Sequence, residues 1–147
     1  MAKGKVGLGR QGETLAAAAL APHGFEVRAR NWYCAEGEAD LIAWRAGEWY
    51  FFEVRTRREF GYGSPEESVT PRKRARMEAV ARRYLAEQTA EEDAVWHLGL
   101  VAVVLDRAGR VRRVTVYPDL DSEDISEALR FAAAAVREHE IPMLVPA

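Results

Sequence analysis

The stretch that most constrains what this chain can fold into is GEADLIAWRAGEWYFFEVRTR, Gly37 to Arg57. Both arms are rich in aromatic and β-branched residues, and Ala46-Gly47 between them offers a turn in which glycine accepts positive φ. A β-hairpin is predicted. With a two-residue turn Arg45 faces Glu48, and counting outward sets Asp40 opposite Glu53 and Glu38 opposite Arg55. Alternation then places Glu38, Asp40, Ile42 and Trp44 on one face with Trp49, Phe51, Glu53 and Arg55. That face is apolar near the turn and charged at its open end.

Directly opposed residues of an antiparallel pair have Cβ atoms about 5 Å apart, and like charges there are destabilising. Asp40 against Glu53 is such a pair. A hard divalent cation bound by oxygens would convert the repulsion into a site. Arg55 neutralising the carboxylates at a solvated sheet end, or a bulge that shifts the register, would account for the same residues, since structural ion-pair networks also gather charges. On the residues alone both the metal and the salt-bridge readings stand.

A chain of 147 residues is long enough for one domain with a substantial core. The longest apolar run, Leu98 to Leu105, is too short to span a bilayer, and the basic N-terminus is not followed by an apolar segment. A cytoplasmic protein with no membrane association is expected. Cys34 is the sole cysteine, which excludes an intrachain disulfide and a cysteine-rich zinc site. His23, His97 and His139 show no metal-binding spacing.

The net charge of −2 argues against a protein that coats DNA, yet the charge is unevenly spread. From Arg55 to Arg83 nine Lys or Arg stand against four acids, whereas from Leu85 onward the acids outnumber the bases twofold. A basic segment beside a carboxylate cluster suits a protein that attracts a phosphate backbone and holds metal at its centre. A solvated helix face gives the same charge run.

Along the chain, residues 1–10 read as loose. GETLAAAALA, Gly12 to Ala21, is a strong helix former ended by Pro22 and Gly24. Glu13 lies in its first turn, on the face of Ala17 and Leu20, where the helix dipole accommodates it but burial demands a partner. Phe25 to Trp32 alternates as a strand, and Asn31 to Gly37 reads as a polar loop. After the hairpin, Arg58 to Thr70 is a glycine- and aromatic-bearing loop, either a plain surface loop or a segment able to close over a ligand.

Thr70 and Pro71 are an N-cap and a first helical residue for a helix to about Gln88. Its inward row is Lys73, Met77, Val80, Ala81 and Tyr84, beside a basic stripe of Arg72, Arg76 and Arg83. Lys73 on the inward row is either a lysine snorkelling to solvent or a phosphate contact. Val95 to Asp106 and Val111 to Tyr117 read as strands, and Asp121 or Ser122 as the cap of a last helix over about 122–140. The strand, helix, strand unit from Tyr50 to Asp106 implies a crossover and a parallel pair in an otherwise antiparallel sheet. The fold expected is a single mixed α/β domain over 1–147.

GRQGETLAAAALAPHGFEVRARNW, GEADLIAW, FFEVRTR and the Lys73 helix together resemble the YraN family of small bacterial proteins over about Gly7 to Tyr117. That resemblance implies a restriction-endonuclease-like mixed sheet in the order α-β-β-β-α-β-β, core about 7–118, with the C-terminal helix as an addition. The fold is that of PD-(D/E)-x-K nucleases and Holliday junction resolvases. Carried over by motif, it implies Mg²⁺ or Mn²⁺ bound by Asp40 and Glu53 with Glu13 nearby. Two departures stand out. Arg55 occupies the position of the family's lysine, and His97-Leu98-Gly99 stands where Arg-Phe-Asp is usual.

The reading is therefore a metal-dependent nuclease acting on DNA or branched nucleic acid by phosphodiester hydrolysis. Glu13, Asp40, Glu53 and Arg55 are its catalytic set, and Arg57, Arg72, Lys73 and Arg76 its nucleic-acid contacts. Glu38 is either a further ligand or the partner of Arg55. Arginine stays protonated at any working pH, so Arg55 can support a transition state but cannot act as a general base. The alternative is a catalytically weakened nucleic-acid-binding module of the same fold. A homodimer is left open.

Overall fold

The hairpin adopts the register its turn dictates. Ala46 and Gly47 both take positive φ, 50° and 83°, as a two-residue turn of the type that matches strand twist requires. Arg45 pairs with Glu48, Trp44 with Trp49 and Leu41 with Phe52. The computed structural model describes residues 12–59, 69–121 and 129–132. Residues 1–10 and most of the expected loop from Arg58 to Thr70 lie outside them.

Helix α1 occupies residues 12–20 and runs into a 3-10 turn, Ala21–His23, closed by Gly24 at φ 83°. Strands β1 (Glu26–Cys34), β2 (Gly37–Arg45) and β3 (Glu48–Arg58) follow. Helix α2 (Pro71–Gln88) then leads to β4 (Trp96–Leu105), β5 (Val111–Tyr117) and β6 (Leu129–Ala132). The six strands form one sheet in chain order. β3 and β4 are parallel, with α2 as their crossover, and every other neighbouring pair is antiparallel. This is the expected mixed α/β, restriction-endonuclease-like order. Among the described residues no helix is long and apolar enough to cross a membrane.

The sheet is covered on both faces. On one, Leu15, Ala16, Ala19 and Leu20 of α1 pack against Leu41, Ala43, Tyr50, Phe52, Val101 and Val114. Leu15 and Leu20 are fully buried, each worth roughly 1.5–3 kcal/mol, enough to hold α1 down although its first turn carries Glu13 into an acidic neighbourhood. On the other face, Met77, Val80, Ala81 and Tyr84 of α2 pack against Ile42, Trp49, Phe51 and Leu98. The inward row read from the sequence is therefore the one that packs, and Thr70 caps α2 by accepting from the Lys73 N–H at 3.2 Å.

Two glycines set approach distances. A Cβ on Gly12 would lie 2.3 Å from Thr56 Oγ1, so α1 can rest against β3 only without one. A Cβ on Gly99 would lie 2.6 Å from Phe52 Cε1 and 2.8 Å from the Tyr117 carbonyl. Gly99 thus makes room for the Phe52 ring across the β3–β4 pair.

Two expectations are corrected. The stretch read as a polar loop is mostly strand: Trp32 pairs with Ala39, Tyr33 with Glu38 and Cys34 with Gly37. Asn31 takes φ 50°, a left-handed conformation that asparagine tolerates, and this kink lets β1 continue past residues whose polarity suggested a loop. Residues 129–132 fall inside the expected C-terminal helix but form β6 on β5. The open ladder of β5 outweighs the helix propensity of the alanine-rich sequence, as tertiary pairing commonly does. The remainder of that stretch lies outside the described residues.

Candidate metal and phosphate site

The site forms where the two hairpin strands part. Their pairing is recorded from Arg45–Glu48 to Leu41–Phe52, and one step further Asp40 Oδ2 accepts from the Val54 N–H at 2.8 Å. The carboxylate takes the place of a ladder partner. β2 meanwhile stays paired with β1 as far as Gly37, so the sheet splits between β2 and β3. Strict alternation fails at the same place, because Ala39 packs with Ile42 on the α2 side while Leu41 packs on the α1 side. Asp40 and Glu53 are accordingly neighbours at the mouth of a split rather than residues facing each other across a regular ladder.

The split opens the sheet to both covering helices. α1 delivers Glu13 from one face and α2 delivers Lys73 from the other. The resulting open cleft, about 400 Å³, is lined by the carboxylates of Glu13, Glu38, Asp40 and Glu53 and by the cations Arg55, Lys73 and Arg76. Carboxylate oxygens of Glu13, Glu38 and Asp40 lie within 4.8 Å of one another, the spacing at which one hard cation can bridge them. Glu53 stands beside this trio. Its Oε1 accepts from Arg55 at 2.9 Å and from Lys73 Nζ at 2.8 Å.

The electrostatics follow from crowding and burial. Burial, then the neighbouring Glu53 charge, push the Asp40 carboxyl from its ordinary 3.8 up to about 8, against the opposing Val54 hydrogen bond; Glu13 and Glu38 add to the rise. Burial also raises Glu53, opposed by Arg55 and by a hydrogen bond with Asp40. Partial burial raises Glu38, opposed by the hydrogen bond from the Tyr33 hydroxyl. Near neutrality the metal-free site thus keeps a proton on Asp40. Among the described residues Arg55 Nε is buried without a hydrogen-bond acceptor.

Of the residues singled out in the sequence, Glu13, Asp40, Glu53 and Arg55 converge as expected, and Lys73 and Arg76 join them. Arg57 and Arg72 do not line the cleft. Arg57 donates to the Thr56 carbonyl at 3.2 Å, and Arg72 is exposed on α2. Glu38 resolves toward the carboxylate trio, since Arg55 pairs with Glu53 instead. The sequence reading passed over Tyr33, whose signal was its position opposite Glu38 had β1 been carried through Asn31.

A mixed sheet between two helices, with acids gathered where its hairpin strands part, defines a restriction-endonuclease-like α/β protein. Residues 12–112 match the model of the family described as Uncharacterised protein family UPF0102. The chain belongs to that family, which is the YraN family. A UPF0102 protein of Roseiflexus castenholzii is 46% identical over 96 residues, 65% of this chain and 77% of its own length. One of Beutenbergia cavernae is 41% identical over 110 residues, 75% and 92% of the two chains. One of Pelotomaculum thermopropionicum is 38% identical over 114 residues, 78% and 94%.

Proposed function

We propose that this protein is a metal-dependent nuclease that hydrolyses phosphodiester bonds of DNA or branched nucleic acid, with Mg²⁺ or Mn²⁺ held by Glu13, Glu38 and Asp40. The observation that carries the reading is the meeting of three carboxylates from α1 and β2 within 4.8 Å of one another, beside an acid gripped by two cations. A donor set made only of carboxylate oxygens suits these hard ions. When bound, such an ion lowers the pKa of coordinated water and offsets charge on the scissile phosphate.

The chain's own groups then divide the work. Asp40 gives up its proton on entering the ligand set, which its hydrogen bond from Val54 N–H favours. Arg55 stays protonated and offers positive charge to a phosphate oxygen in the cleft. Lys73, unlike Arg55, can give up and take back a proton, and the contact of its Nζ with Glu53 Oε1 at 2.8 Å supports a part for it in moving a proton at the reacting phosphate. Arg76 at the cleft, with Arg72 and Arg57 beyond it, would meet flanking phosphates.

Single-turnover cleavage of labelled single-stranded, double-stranded and branched DNA with Mn²⁺ tests this. Wild type should cut at least one substrate, and Asp40→Asn and Lys73→Met should each lose about a hundredfold or more, the scale of acid–base assistance. Arg55→Lys should stay within about tenfold of wild type, roughly 1.4 kcal/mol. If no form cuts any substrate while metal and DNA still bind, the protein is the binding module of this fold and not a nuclease.

A further inference from the structure

Tyr33 is 69% exposed, one of two large apolar side chains left so among the described residues. The kink at Asn31 turns Trp32 onto Tyr84 of α2, ring centroids 5.2 Å apart, and leaves its neighbour Tyr33 pointing out on the other side. Its partner across the β1–β2 ladder is Glu38, a member of the carboxylate trio. The ring therefore stands beside the carboxylate trio and is open to solvent.

The charges around it sort what can lie there. Arg55, Lys73 and Arg76 line the cleft and draw the phosphate into it, whereas the exposed ring beyond it offers no charge. A nucleobase is neutral and has a π-face. Resting on the nuclease reading above, we propose that Tyr33 is the stacking platform for an unpaired nucleobase next to the scissile phosphate, making it the residue that selects single-stranded or branched nucleic acid over continuous duplex. In a continuous duplex each base is already stacked within the helix, and none is free to cover the ring.

The test uses the full chain in Ca²⁺, and again in EDTA, with two oligonucleotides that carry 2-aminopurine, one at an unpaired position and one fully paired. Wild type should bind the unpaired form more tightly and change its 2-aminopurine fluorescence. Tyr33→Ala should weaken that form by about tenfold or more, the scale of one base–aromatic stack, and leave duplex affinity unchanged. Tyr33→Phe should bind as wild type, because it keeps the ring and loses only the hydroxyl. Equal loss on both substrates, loss on neither, or a Phe variant as weak as the Ala variant overturns the stacking role while the nuclease reading stands. Failure of wild type to bind any nucleic acid overturns both. The side chain is exposed, so an unchanged melting temperature in both variants excludes misfolding.

Discussion

In the metal-free protein, Asp40 ties stability to pH in a direction opposite to that of most carboxylates. Its carboxyl is raised from 3.8 to about 8, so between those values the folded protein holds a proton that the unfolded chain has released. The stabilisation is complete below 3.8 and is lost as pH rises through about 8. One proton corresponds to about 1.4 kcal/mol per pH unit, on the order of 4 kcal/mol between pH 5 and pH 8 as an upper bound. Glu53 and Glu38 are raised too and tilt the curve the same way. Asp40→Asn isolates the one proton, because an asparagine oxygen can still accept from Val54 N–H. Urea denaturation in EDTA at pH 5, 6, 7 and 8 should show wild type losing stability relative to Asp40→Asn by about 1.4 kcal/mol at each of the first two steps and about 1 kcal/mol at the last, where the group is half titrated. Metal has the converse dependence, since ligation displaces the same proton. Apparent Mn²⁺ affinity should rise about fiftyfold from pH 6 to pH 8 by the same titration, measured calorimetrically, and Asp40→Asn should abolish the rise. Parallel stability curves for the two proteins would refute the claim that Asp40 is protonated in the fold. A pH-dependent affinity that survives Asp40→Asn would refute its place among the ligands.

Gly12→Ala should cost about 1–3 kcal/mol through overpacking, exceeding any gain in helix propensity, and should weaken Mn²⁺ binding because Glu13 moves with α1. Adding Thr56→Ala removes the atom that is struck, so the double variant should recover most of both in thermal melts and metal titration; no recovery would mean that Gly12 acts by another route. Neutralising Arg72 and Arg76 together should reduce the slope of log affinity against log salt for DNA by about two. An unchanged slope in that titration places the phosphate contacts elsewhere.

Local chemistry made much of this protein legible in its sequence. The Ala46-Gly47 turn fixes the hairpin register by backbone geometry alone, and with it the proximity of Asp40 and Glu53. The Thr70-Pro71 cap and the 3.6-residue periodicity identify α2 and place Lys73 on its inward row, because both depend on residues within one or two helical turns. The apolar run of β4 marks a central strand buried on both faces. What sequence could not supply is each outcome that depends on competition between distant groups. Asn31 reads as loop chemistry, and only the pairing offered by β2 carries β1 through it to bring Tyr33 against Glu38. The alanine-rich tail reads as helix, and only the open edge of β5 draws residues 129–132 into the sheet. Above all, the choice of partners within the acid cluster belongs to tertiary structure. Glu38 joins Glu13 and Asp40 while Arg55 and Lys73 close on Glu53, because the sheet splits at Asp40 and admits side chains from both covering helices to one cleft, a meeting of residues far apart in the chain that no local pattern encodes.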